Sequence, residues 1–243
     1  MGALDWARSK VLYRLMPSLD FHERANRLYR KRRGFDGRAD RGDGFSLYNH
    51  EDLNTYREIQ IIANKAKLGL CFARESNLVA LCDFLSVQGV KIRRVLCHGT
   101  RNGGEQKYFK RRLPSAEIVG TEISDNAERF PMTIQWDFHE VKPKWIGAFD
   151  LIYSNSWDHT YDPAKLFPAW LSCLASGGAL ALEWTVEHGQ DHTNVIDPFG
   201  ADFPALRRLL KQYAGPEFDE PVAFDQLPER ARQDTMLVIR RSR

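Results

Sequence analysis

A doubly wound, mostly parallel α/β sheet is the fold class this sequence predicts, and three observations carry it. From Lys91 onward, short apolar runs alternate with helical stretches, the pattern of strands joined by crossover helices. The first run, IRRVLCHGTRNGGE, breaks into a glycine loop at Gly99 and Gly103. The next two, AEIVGTEIS and TIQWDFHE, are read as strands that end on acids, Glu122 and Asp137.

The elements follow in order. Residues 1–44 read as a basic N-terminal extension, helical and then flexible, ahead of an α/β domain over 45–243. LDWARSKVLYRLM puts Trp6, Val11, Leu12 and Leu15 roughly along one helical stripe. A second amphipathic piece, FHERANRLYRKRR, follows Pro17, and GFDGRADRGDGF reads as a flexible loop. Asn49-His50-Glu51-Asp52 opens a helix through Lys67 that stops at Gly69, and Glu75–Val87 is a second helix closed by Gly89. After the three strands comes FDLIYSNSWDHTYDPAKLFPAWLSCLASGGALALEW, read as strand, helix, Gly-Gly turn and strand. Met236-Leu237-Val238-Ile239 is a last short buried strand.

Composition excludes several classes. The 243 residues are enough for one sizeable core, and 43% hydrophobic with 28% charged content is ordinary for a globular chain. No run of eighteen apolar residues occurs, so no spanning helix is expected. The N-terminus lacks the apolar segment and cleavage site of a secretion signal. Cys71, Cys82, Cys97 and Cys173 have no metal-like spacing and read as reduced core residues, which points to a cytoplasmic protein. Residues 1–44 carry a net charge of +5 and the remainder −2. The run Tyr29-Arg30-Lys31-Arg32-Arg33 admits a solvated face, an RNA-contacting arm or a membrane-surface helix. The solvated face is favoured, because few aromatics are interleaved and the apolar face is short.

The ordered set of glycine loop, Glu122, Asp137 and the SNSWDHTYDP strand end resembles the class I S-adenosylmethionine-dependent methyltransferases, above all the small-molecule enzymes of that superfamily. The resemblance implies a Rossmann-like sheet whose last strand runs antiparallel, and S-adenosylmethionine as cofactor. It implies a small-molecule or glycan-intermediate acceptor and disfavours nucleic acid. Cofactor contacts fall on Gly99, Thr100, Arg101 and Gly103 in the loop, with Glu122 on the ribose diol beside Ile123. Asp137 and Phe138 fall at the adenine, and Ser154 and Asn155 at the sulfonium end. In the loop the family's acid is Cys97 and its middle glycine is Arg101. The methionine ammonium then needs another partner, Glu105 or loop carbonyls, and Arg101 is a candidate for the carboxylate. These two changes also keep open a module that binds cofactor without turnover. A nicotinamide dehydrogenase is disfavoured, since the glycines are spaced GxxxG.

His159 reads either as a packing residue or as a general base for a hydroxyl acceptor. Trp157 and Asp158 are candidate substrate contacts. Glu187-His188 and Asp191-His192 have a spacing that metal ligands can use, but Gly189 interrupts the segment. A polar loop is favoured there and no metal is expected.

Overall fold

The computed structural model describes residues 39–229 and 234–243. The expected helices of the N-terminal extension lie outside the described residues. From Ala39 the chain differs from the flexible loop expected of it. β1 (Ala39–Arg41) and β2 (Phe45–Tyr48) form an antiparallel hairpin, and β8 (Phe199–Ala201) pairs with β2 to complete a small three-stranded sheet. The glycines and aspartates that suggested flexibility make the turn between β1 and β2, where Gly42 N–H donates to Phe45 O.

The main sheet has seven strands in the order β5-β4-β3-β6-β7-β10-β9. β3 (Arg94–His98), β4 (Glu117–Glu122), β5 (Thr133–Gln135), β6 (Phe149–Ser154) and β7 (Leu174–Trp184) are mutually parallel. β10 (Thr235–Arg240) runs antiparallel to β7, and β9 (Val222–Phe224) antiparallel to β10. This is a Rossmann-like sheet with its late antiparallel strand. Strand order reverses between β3 and β6, which opens a crevice beyond their carboxyl ends.

Alternation along each strand divides the core. Val95, Cys97, Leu151 and Tyr153 face one side, with α2 (Glu75–Val87) and Phe109 of α3 (Gly104–Arg112). Leu96, Ile152, Leu180 and Leu182 face the other, under α4 (Pro163–Ser172) and α5 (Phe203–Tyr213). α1 (Leu53–Ala66) belongs to neither layer. Its N-cap Asp52 accepts from Thr55 N–H at 2.7 Å, and Ile59 and Ala63 pack with Tyr48, Val195 and Ile196. The helix therefore leans on the small sheet and on the loop that leads into β8, at the crevice end of the molecule.

Two local expectations change. The third strand ends at Gln135, two residues before Asp137, and its last ladder bond to β4 is Trp136 N–H to Glu122 O at 2.9 Å. Gly177-Gly178 is not a turn ahead of the following strand but lies inside β7. The β6–β7 register shifts between Phe149 and Leu151, and a Cβ on Gly178 would come within 2.8 Å of Phe149 O.

Gln106 of α3 crosses β4 at Gly120, donating to Thr100 Oγ1 at 2.8 Å and Thr133 Oγ1 at 3.0 Å. It ties the glycine loop to β5, and a Cβ at position 120 would overlap its amide. Gly120→Ala is therefore expected to cost about 1–3 kcal/mol of stability, measured by denaturant unfolding. An unchanged midpoint would show that Gln106 is free to move aside.

Candidate functional site

The crevice holds about 510 Å³ of empty space, open solvent at its mouth included. One wall comes from the strand ends: Gly99, Arg101, Thr121, Glu122, Ile123, Trp136, Phe138, Ser156 and His159. The other comes from α1 and its cap: Tyr56, Gln60, Ala63, Asn64 and Lys67.

The glycine loop is shaped by Glu122. Its Oε2 accepts from Arg101 N–H at 2.9 Å and its Oε1 from Ser124 N–H at 3.1 Å. Gly99, Arg101 and Gly103 all have positive φ, at 71°, 45° and 73°. At Gly99 only glycine fits, since a Cβ would lie 2.7 Å from Ser156 Cβ. Burial raises the Glu122 pKa, while these two backbone donors pull it back. Beside it Asn64 Oδ1 is buried without a partner.

Of the residues singled out in the sequence, Gly99, Arg101, Glu122, Ile123, Phe138 and His159 line this cleft together. Thr100 turns beneath the loop to accept from Gln106, and Gly103 caps α3. Ser154 Oγ donates to His98 O at 3.1 Å and accepts from Ser156 N–H. Asn155 Oδ1 accepts from Ser156 Oγ at 3.2 Å. Ser154 and Asn155 thus hold the strand-end turn, and Ser156 is the residue of that turn in the cleft wall. Asp137 is committed elsewhere: Oδ1 binds His139 at 2.7 Å and Oδ2 meets Arg57 at 3.3 Å. Its pKa falls to about 2, because the His139 and Arg57 contacts outweigh burial. Trp157 is fully buried in the core, its Nε1–H on Glu183 O at 2.7 Å, and is no cleft contact. Arg101 sends its guanidinium to Leu70 O at 3.2 Å and over the Phe72 ring.

His159 is held from α1. Tyr56 Oη donates to His159 O at 2.9 Å. Gln60 donates its amide to Ile196 O at 2.7 Å, so its carbonyl oxygen faces His159 Nδ1, also at 2.7 Å. The proton therefore sits on Nδ1, and Nε2 presents a lone pair. Asp197 Oδ1 is 3.4 Å from Nε2. Burial keeps the imidazole pKa below its usual value. Asp158 is buried beside it with Oδ1 unpartnered, and its pKa is pushed up to about 7, chiefly by burial. His188 Nδ1 accepts from Thr185 N–H, and its Nε2 lies 3.8 Å from Asp158 Oδ2.

The α1 wall, Asp197 and Ser156 escaped sequence reasoning. The signal that was available is the face Tyr56, Gln60, Ala63, Asn64, Lys67, spaced three and four apart and mixing polar with small residues. A helix face of that kind suits a lined cavity better than a dry core.

Glu105 does not line the cleft. It is buried under the loop with Oε2 unpartnered, and burial raises its pKa to about 7. A carboxyl with a raised folded pKa helps the fold below its ordinary value and loses that help as pH climbs through the raised one. Glu105→Gln is expected to raise Tm by several degrees at about pH 8 and to change it little near pH 4.5. Calorimetric melts at both values check this, and equal shifts would remove the burial penalty as the cause.

No protein-family model matches the chain, and no curated protein matches it in sequence. Solved structures do resemble it. The 1,6-didemethyltoxoflavin-N1-methyltransferase of Burkholderia thailandensis, solved with 1,6-didemethyltoxoflavin and S-adenosylhomocysteine, superposes at TM-score 0.58 with 12% identity over 84% of this chain and 99% of that one. The plantazolicin methyltransferase BpumL, solved with a triazolic desmethylPZN analog and SAH, gives TM-score 0.58 and 12% identity over 78% and 98%. The S-adenosylmethionine-dependent methyltransferase SibL gives 0.52 and 14% over 70% and 55%. Such identities speak to architecture alone. With its strand order, late antiparallel strand and these likenesses, the chain has the fold of the class I S-adenosylmethionine-dependent methyltransferases.

Proposed function

We propose that this protein is an S-adenosylmethionine-dependent methyltransferase acting on a small molecule. One observation carries the reading: a cleft at the switch point brings Gly99, Glu122, Ile123 and Phe138 together, as a bound adenosyl group requires. The residues fit that group. Glu122 and the unpartnered Asn64 Oδ1 are acceptors for a ribose diol. Ile123, Trp136 and Phe138 supply apolar walls for a purine. Gly99 leaves backbone clearance, and the N–H groups that Arg101 retains suit a carboxylate.

When bound, the cofactor supplies an electrophilic methyl group on sulfur. The chain's own work is to hold an acceptor in line with it and keep water out. His159 is the base of this reading. Its Nδ1–H is pinned by Gln60, its Nε2 is open to a proton, and Asp197 stabilises the imidazolium that forms. A cofactor-binding module without turnover is the second reading, favoured by Cys97 and Arg101 in the loop.

Glu122→Ala is expected to weaken S-adenosylhomocysteine binding by about 1–3 kcal/mol. Unchanged calorimetric affinity would remove Glu122 from the ribose site. His159→Gln, which cannot take a proton near neutral pH, is expected to lower turnover roughly a hundredfold while sparing cofactor affinity. Near-normal turnover in that variant would leave His159 as a packing residue.

A further inference from the structure

Lys67 closes α1, lines the cleft and is only 8% exposed. Among the described residues its ammonium makes no hydrogen bond and no ion pair. The acids whose charges reach it, Asp197 and Asp158, stand outside ion-pair range and face other groups. Asp197 Oδ2 accepts from Asn194 Nδ2 at 3.1 Å, and its Oδ1 lies 3.4 Å from His159 Nε2. Asp158 Oδ2 lies 3.8 Å from His188 Nε2. A lysine at a helix end commonly serves the last carbonyls, yet none accepts from this one. Leu68 O and Leu70 O, just beyond it, are taken by Asn102 and Arg101.

A cation taken out of water without a partner is costly, and buried lysines are normally paired. Burial is the dominant influence on this one and lowers its pKa. Its surroundings leave the cleft as the side from which a partner can come. The position is also preset. Asn102 Nδ2 donates to Leu68 O at 2.9 Å and to Leu70 O at 3.1 Å, so the chain after Lys67 is tied to the glycine loop. Little ordering of the backbone is then left for a ligand to impose.

Charge and location decide what the partner is. A carboxylate brings one negative charge and two acceptor oxygens to one unpaired ammonium. A neutral carbonyl would accept a hydrogen bond but leave the charge unanswered. A phosphate ester would bring nearly two negative charges to a place already in the field of Asp158 and Asp197. The charge of Lys67 acts on His159 and on the two acids beside it, whereas the cation acting on Glu122 is Arg101. Lys67 thus serves the half of the cleft that holds the base, and Arg101 remains for the carboxylate of the cofactor.

We infer that the acceptor carries a carboxylate and is anchored through it on Lys67. The inference rests on the methyltransferase reading and names the substrate class for it.

The test uses the full chain saturated with S-adenosylhomocysteine, whose own binding is measured first by calorimetry. Benzoate and hexanoate are then titrated against benzamide and hexanamide. The local readout is the ¹⁵N signal of Lys67 Nζ, assigned by its loss in Lys67→Met. Each carboxylate is expected to bind at least about tenfold more tightly than its amide and to move the Lys67 signal. Lys67→Met is expected to bring each pair within about twofold while leaving S-adenosylhomocysteine affinity unchanged. Should that variant fail to fold, the wild-type preference and the Lys67 signal still decide. Amides that bind as well as the carboxylates, carboxylates that do not bind, or a preference that survives in Lys67→Met would overturn the inference. So would a loss of S-adenosylhomocysteine affinity in Lys67→Met with adenosine binding unchanged, which would give Lys67 to the cofactor's own carboxylate. Failure of S-adenosylhomocysteine to bind the wild-type chain strikes the methyltransferase reading itself. The same titrations on the free protein then still report on Lys67: a preference there sustains the carboxylate site, and none overturns it as well.

Discussion

The carboxylate of Glu122 is the constraint around which the cleft is organised. A carboxylate this deeply buried is costly unless donors come to it. Here they come from the backbone: one from the loop after β3, one from the turn after its own strand. To aim the first of these, the chain must pass through left-handed conformations at Gly99, Arg101 and Gly103. Glycine does so freely, but Arg101 at φ 45° carries strain of order 1 kcal/mol. The hydrogen bond from its backbone N–H to Glu122 and its guanidinium contacts to Leu70 and Phe72 offset that strain. The substitution that looked like damage to the motif is thus built into the loop closure.

Below the loop a second tie works from the opposite direction. Gln106 reaches from α3 to Thr100 and Thr133, so the loop is held at both its ligand side and its core side. A loop anchored in this way presents its backbone without having to be ordered by what binds, which lowers the entropic cost of binding.

Much of this was legible in the sequence, and the limits have physical reasons. β3, β4 and β6 were readable because strands buried on both faces appear as continuous apolar runs, and α2 because Gly89 closes it. The glycine loop and Glu122 were readable because backbone conformation restricts residue type. The surroundings of Asp137 were not legible, because a strand-end acid looks the same whether it faces a ligand or pairs with Arg57 and His139, which no local pattern reveals. Trp157 sits in the right loop, but its indole points into the core, toward Glu183 O. The α1 wall was missed because it arrives from outside the sheet. Its contacts with the loop after β6 span about a hundred residues of chain.

That wall has a further consequence. One face of α1 borders the crevice beside Glu122 through Asn64, and the same face fixes the carbonyl and ring of His159 through Tyr56 and Gln60. The two halves of the cleft therefore share a single wall. A ligand that shifted this helix from one half would alter the geometry of the other. Linkage would make such an effect equal in both directions.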